Sequence, residues 1–167
     1  MMKRFIITFL VLVLLCLYGC TNQSETILKP VNFYYHNNLS SDENFDQIIV
    51  AEIREGAQHS NEELIAQYLR GPNSDELENP FPKDISLVSI TVDAKRVIIT
   101  VSPSFSQLSG IDMTLACSCL GTTIFDLYDC QTVEIISEGL FVNGKSAIVL
   151  QREDLVFFDS SYVSKSE

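Results

Sequence analysis

The chain has no tryptophan, only two histidines and only seven glycines in 167 residues. Each scarcity excludes something. Hydrolytic triads need a base oriented by a third group and set beside a nucleophile. His36 falls at the end of a predicted strand and His59 directly before a predicted helix cap, and nothing places either beside a nucleophile. No Gly-x-Ser-x-Gly elbow occurs, and the glycines form no phosphate-cradling loop. Basic residues are also scarce, 11 against 22 acidic ones, for a net charge of −11. Such a surface repels nucleic acid and anionic headgroups, and no basic patch argues otherwise. The chain is therefore not expected to be an enzyme, and no cofactor is implied.

Metal chemistry is poorly supplied. Cys117-x-Cys119 lacks the two-residue spacing of a zinc knuckle and has no second pair. Asp42-x-Asn44-x-Asp46 imitates the first ligands of a calcium loop. The glycine position is Gln47, however, and the twelfth position is Ile53 rather than glutamate. That stretch, like Asp75, Glu76 and Glu78, reads as solvated acidic loop. No metal site is expected.

The richest segment is the N-terminus. Lys3 and Arg4 precede an apolar run, Phe5–Leu17, broken only by Thr8. Leu17-Tyr18-Gly19-Cys20 closes it with a small residue before cysteine. A transmembrane helix needs roughly 20 apolar residues, and this run is shorter. The arrangement is similar to a bacterial lipoprotein signal peptide. That resemblance implies cleavage between Gly19 and Cys20, thioether-linked lipid on Cys20 and fatty acyl (palmitate) chains. Anchoring of this kind rests on about 0.8 kcal/mol per buried methylene, with more than one chain needed for stable attachment. Lys3 and Arg4 leave with the signal, so nine basic and all 22 acidic residues stay, a net charge of −13. Lipid rather than charge would then hold the protein at the outer face of the cytoplasmic membrane.

Of the five cysteines, Cys16 leaves with the signal and Cys20 takes the lipid. Cys117, Cys119 and Cys130 remain. On one helix Cys117 and Cys119 diverge by about 200°, and Cys130 lies about 16–20 Å further along. A disulfide needs Cα atoms within about 7 Å, so all three read as small buried apolar side chains.

Four sections are expected: a signal peptide (1–19), a lipidated cysteine and polar tether (20–30), a folded domain (31–150), and a C-terminal segment with a frayed tail (151–167). The tether reaches at most roughly 35 Å, which keeps the domain close to the membrane. Val31–Tyr35 and Gln47–Ile53 read as strands flanking a polar loop. Ser60-Asn61-Glu62-Glu63 has capping-box form, Leu64, Ile65, Tyr68 and Leu69 recur at helical spacing, and Gly71-Pro72 ends the helix. After a bend at Pro80–Pro82, Val88, Ile90 and Val92 alternate with polar residues. Val97, Ile99 and Val101 do the same beyond Asp93–Arg96, so the pair predicts an antiparallel hairpin with one apolar face. A second helix over 110–129 would bury Leu115, Leu120, Ile124 and Leu127. Val133–Ile136 is a strand, and Asn143-Gly144 signals a turn. The order β-β-α-β-β-α-β indicates an α+β sandwich, two helices packed on one largely antiparallel sheet.

From Val31 to Lys145 the chain resembles the GerM family, the sporulation and spore germination domain of exported and lipid-anchored bacterial proteins. The resemblance rests on the aromatic strand Phe33-Tyr34-Tyr35, on Glu52 and Arg54 in the second strand, and on Tyr68-Leu69-Arg70-Gly71-Pro72 closing the helix. Pro82–Ile85, Val97–Ser102 and Leu120–Val133 add to it. Ala94-Lys95 stands where the family's hairpin has glycine, and Cys117 and Cys119 are unusual in its second helix. Glu52, Arg54, Leu69, Gly71 and Pro72 are motif residues of structure rather than chemistry. Glu52 and Arg54 share a strand face and read as a structural ion pair, with a docking surface as the alternative. The resemblance implies a ring-building-like fold and a non-enzymatic scaffold that binds an envelope protein or its own copies. A lipoprotein that binds a small ligand or a cell-wall fragment is the competing reading. A filled core favours the first, and a cavity of several hundred Å³ the second.

Overall fold

The computed structural model describes residues 29–37, 48–56 and 59–158, apart from the side chains of 156–158. The signal peptide, Gly19, Cys20, most of the tether, the acidic stretch Asp42–Asp46 and the tail lie outside the described residues. In chain order the elements are β1 (Pro30–Asn37), β2 (Ile49–Glu55), α1 (Asn61–Tyr68), β3 (Leu77–Glu78), β4 (Leu87–Asp93) and β5 (Arg96–Val101). A 3-10 turn (Pro103–Gln107), α2 (Gly110–Tyr128), β6 (Thr132–Ser137), β7 (Ala147–Gln151) and a 3-10 helix (Arg152–Phe158) follow.

The class is α+β as expected, with one correction to its layout. The strands form two sheets rather than one: β2-β1-β3, and β4-β5-β6-β7. All pairs are antiparallel except β5–β6, which is parallel because α2 carries the chain back across the sheet between them. The dipeptide strand β3, absent from the expected order, pairs with His36 and Asn37 at the end of β1. The fold also runs past residue 150, since β7 ends at Gln151 and the 3-10 helix beyond it packs on α2.

The division into two sheets explains α2. Its residues Ala116, Cys117, Cys119, Leu120, Gly121, Thr122, Thr123, Ile124 and Phe125 are all buried, whereas a surface helix shows one apolar stripe. β1 and β6 both pack against it. Leu120 and Ile124 are core residues as expected, but Leu115 and Leu127 are only half-buried. Gly121 permits the closest approach. A Cβ there would come within 2.6 Å of Leu150 Cδ1 and 3.3 Å of Leu155 Cδ1.

Burying α2 raises the question of where β1's backbone bonds go. One edge of β1 pairs with β2 from Pro30↔Glu55 to His36↔Ile49. On its other edge the Tyr34 N–H donates to Thr123 Oγ1 of α2 at 3.1 Å, and the Tyr34 carbonyl accepts from Tyr68 Oη of α1 at 2.8 Å. Two side chains thus do the work of a missing strand. Phe33 and Tyr35 point the other way, into the core, where Tyr68 stacks on Phe33 at 5.2 Å and meets Phe81 edge-on at 5.2 Å. Such aromatic pairs add about 0.5–1.5 kcal/mol each beyond their burial.

The capping box forms as the spacing predicts. Ser60 Oγ accepts from the Glu63 N–H at 3.2 Å, and Glu63 Oε2 accepts from the Ser60 N–H at 2.8 Å. That second bond holds the Glu63 carboxyl below the usual carboxylate range. The hairpin departs from simple alternation. A bulge between Leu87 and Ser89 turns Val88 outward, so Leu87 and Ile90 face inward while Val88 and Val92 stay exposed. Ala94 takes φ 50°, the left-handed conformation that glycine adopts without strain. The Asn143-Gly144 turn forms, but it closes only the Val142↔Lys145 bridge within the longer β6–β7 connection.

Candidate functional site

The motif residues on β2 and after α1 converge. Glu52 and Arg54 alternate onto one face of β2, and their side chains are only 12% and 14% exposed. The Arg54 guanidinium donates to Glu52, to the Gly71 carbonyl at 2.8 Å and to Tyr35 Oη at 3.1 Å. It also lies over the Phe33 and Tyr35 rings, at 5.0 and 5.6 Å from their centroids. The other Glu52 oxygen accepts the backbone N–H groups of Asn73 and Ser74 at 2.8 and 3.0 Å. Tyr35 Oη donates onward to the Tyr68 carbonyl at 2.8 Å. The ion pair thus clamps the chain leaving α1, from Tyr68 to Ser74, against β2. Gly71 is buried in that segment with φ 111°, and a Cβ would meet Asn79 Nδ2 at 2.9 Å. Leu69 is 2% exposed and belongs to the core, and Pro72 lies half-buried within the clamped segment. The arrangement binds backbone: its carboxylate and guanidinium hold the Gly71 carbonyl and the Asn73 and Ser74 N–H groups.

Each of the two histidines faces a carboxylate. His36 Nδ1 meets Glu78 Oε2 at 3.2 Å, and His59 Nδ1 meets Glu63 Oε2 at 3.7 Å across one helical turn. Cys117, Cys119 and Cys130 are free and buried. Burial pushes the Cys117 and Cys119 thiols up to about 12, so neither supplies a thiolate near neutrality. Burial and the Asp126 carboxylate, which accepts from Tyr34 Oη at 2.9 Å, push Tyr34 up to about 12. Among the described residues no group of His, Cys, Asp and Glu could hold a metal ion. No buried side-chain polar atom there lacks a partner. No described helix is long and apolar enough to cross a membrane.

Two kinds of surface remain. The first is sheet edge. β2 and β4 are outermost strands, and among the described residues neither has a strand on its outer side. Ile53 on β2 is 70% exposed, and Val88 and Val92 on β4 are 62% and 53% exposed. The second is a cleft of about 460 Å³ lined by His36, Glu78, Phe81, Leu108, Asp112 and Leu115 among others. From the sequence Glu78 belongs to a solvated acidic loop and Asp112 falls in the first turn of the helix expected over 110–129. Their meeting depends on β3 pairing with the end of β1, which two residues cannot announce.

With the geometry in place, solved structures offer a comparison. The first GerMN domain of the sporulation protein GerM from Bacillus subtilis superposes with a TM-score of 0.55 at 15% identity, over 75% of this chain and 99% of that one. The tandem GerMN domains of the same protein give a TM-score of 0.57 at 21% identity, over 81% of this chain and 48% of theirs. This chain thus spans about half of the tandem structure. No family model and no curated protein matches the sequence. The two superpositions define the class: the described residues carry a GerMN-type fold, as the resemblance implied.

Proposed function

We propose that this chain is a non-enzymatic lipoprotein, anchored by lipid on Cys20 at the outer face of the cytoplasmic membrane. In this reading its GerMN-type domain is a protein–protein assembly module serving sporulation or spore germination. One observation carries the reading: among the described residues, a fold whose buried side-chain polar atoms are all satisfied leaves apolar Ile53, Val88 and Val92 exposed on the outermost strands β2 and β4. Edge strands are templates for pairing with another chain, and isolated monomers blunt them. The sporulation setting is supported by the fold shared with GerM.

The test is cross-linking of the lipidated protein in membranes, followed by mass spectrometry. Cross-links from β2 or β4 to an envelope protein, or to a second copy, support the module. Cross-links that avoid both edges refute it. Membrane fractionation of Cys20→Ala tests the anchor, and continued membrane association would mean an uncleaved signal anchor. The cleft beside His36 favours a second reading, a lipoprotein that binds a small ligand or a wall fragment, because its volume suits one.

A further inference from the structure

We infer that the cleft between β3 and the start of α2 is a docking site for a polypeptide segment that carries a lysine or arginine flanked by apolar residues. The inference rests on the domain being a protein-docking module and says where, and to what chemistry, it docks. Three observations carry it. The first is charge. Glu78, which His36 Nδ1 meets at 3.2 Å, and Asp112 line the cleft, and among its lining residues there is no lysine or arginine. The N-terminus of α2 contributes about half a positive charge there, which the full charge of Asp112 in its first turn outweighs. A cationic group therefore gains from two carboxylates in a cleft, where the field is focused.

The second observation is the apolar surround. Leu108 and Leu115 are half-buried in the cleft wall, and Ile111, beside Asp112, is 74% exposed. A cation with aliphatic neighbours can use both. Sugars stack on exposed aromatic faces, but of the cleft's two rings Phe81 is 6% exposed and engaged edge-on with Tyr68, and the His36 imidazole is held at Glu78. The third is position. The described chain enters at Lys29 and Pro30, beside Asp126 and Leu127 near the end of α2. Asp112 is fourteen residues earlier on the same helix, about 21 Å away. The cleft thus lies at the opposite end of α2 from the residues where the described chain begins.

The test is panning of a random dodecapeptide phage library on the full chain in detergent micelles, then fluorescence polarisation of the selected peptides. The expected binders carry Lys or Arg next to Leu, Ile or Phe. Each should lose about tenfold in affinity against Glu78→Gln and again against Asp112→Asn, the size of a lost charge-assisted hydrogen bond. Both side chains are exposed, and an unchanged melting temperature confirms that the variants fold. Leu108→Ser gives an uncharged check on the apolar wall. Binders without a basic residue, binders indifferent to these variants, no binders at all, or displacement by soluble muropeptides would each overturn the assignment. Binders that respond instead to Ile53→Lys would overturn the cleft while leaving the docking module standing.

Discussion

Replacing Arg54 with leucine tests whether the clamp holds the Gly-Pro helix end. Leucine keeps apolar bulk over Phe33 and removes the charge and its donors. Glu52 would keep its two backbone donors but lose its cation, and the Gly71 carbonyl and Tyr35 Oη would each lose a donor. Breaking a buried pair costs about 3–5 kcal/mol, because the surviving charge is left unpaired. With the side chains still 12–14% exposed, about 3 kcal/mol is the expected loss. For a domain of this size that lowers the melting temperature by about 10–15 °C. Urea unfolding should show a lower midpoint with an unchanged slope. A double-mutant cycle with Glu52→Gln isolates the pair, and its coupling energy should be about 2 kcal/mol. Coupling below about 0.5 kcal/mol, the range of exposed surface pairs, would refute the clamp.

Three further changes follow from backbone and burial. Gly71→Val should cost about 3 kcal/mol in urea unfolding, since φ 111° is hostile to a branched side chain. The added Cβ would also push Asn79 off the Phe81 N–H that it accepts at 3.2 Å. Ala94→Gly should raise stability by about 0.5–1 kcal/mol, because it relieves a left-handed alanine at φ 50°. A lower melting point would mean that the turn is not strained. Alkaline pH should destabilise the fold in a fixed order. The folded thiols of Cys117 and Cys119 sit near 12, above the ordinary 9, so their contribution is complete below pH 9 and lost as pH rises toward 12. Each thiol accounts for about 1.4 kcal/mol per pH unit in that window, and burial of Tyr35 and Tyr68 adds the same sense of loss above pH 10. Denaturation midpoints should be flat from pH 7 to 8.5, and Cys117→Ala with Cys119→Ala should make the loss above pH 9 much shallower, leaving the smaller part due to Cys130, whose thiol burial also raises.

What was legible in the sequence is what local physics decides. Ser60 and Glu63 form their box within one turn, and Gly71 ends α1 because only glycine tolerates its φ there. The two-sheet division was not legible, since it depends on β1 finding Thr123 and Tyr68 in place of a strand, at separations of 89 and 34 residues. The one-stripe reading of α2 failed for a related reason. Periodicity assigns one buried face, whereas this helix, packed by β1, β6 and the 3-10 helix, buries nearly every residue from Ala116 to Phe125. A signal did exist: from Met113 to Phe125 the helix carries no charged residue, as expected of a helix buried on most of its circumference. The Val88 bulge was invisible because alternation looks the same until the partner strand fixes the register. Glu52 and Arg54 could be placed on one face from spacing alone, but their hold on Gly71, Asn73 and Ser74 needed the path of the chain after α1.

Salt separates the partners that the open edges and the cleft could take. A chain of net charge −11 repels its own copies, so homotypic pairing along β2 works against a field that reaches about 30 Å at 0.01 M salt and about 8 Å at 0.15 M. Screening should therefore strengthen self-association, and sedimentation of the detergent-solubilised chain should shift to larger species as salt rises. A partner with a basic segment reverses the sign. Its encounter is steered by the same field, so its association rate should fall steeply with salt. The charges on β2 itself sharpen the contrast. Glu52 and Arg54 are neutralised in the clamp, whereas Glu55 remains exposed at the end of the strand beside Ile53. Glu55→Gln should ease homotypic pairing at low salt and leave binding at the cleft unchanged. If self-association instead weakens with salt, the acidic surface does not limit it, and the contact must be one in which opposite charges meet.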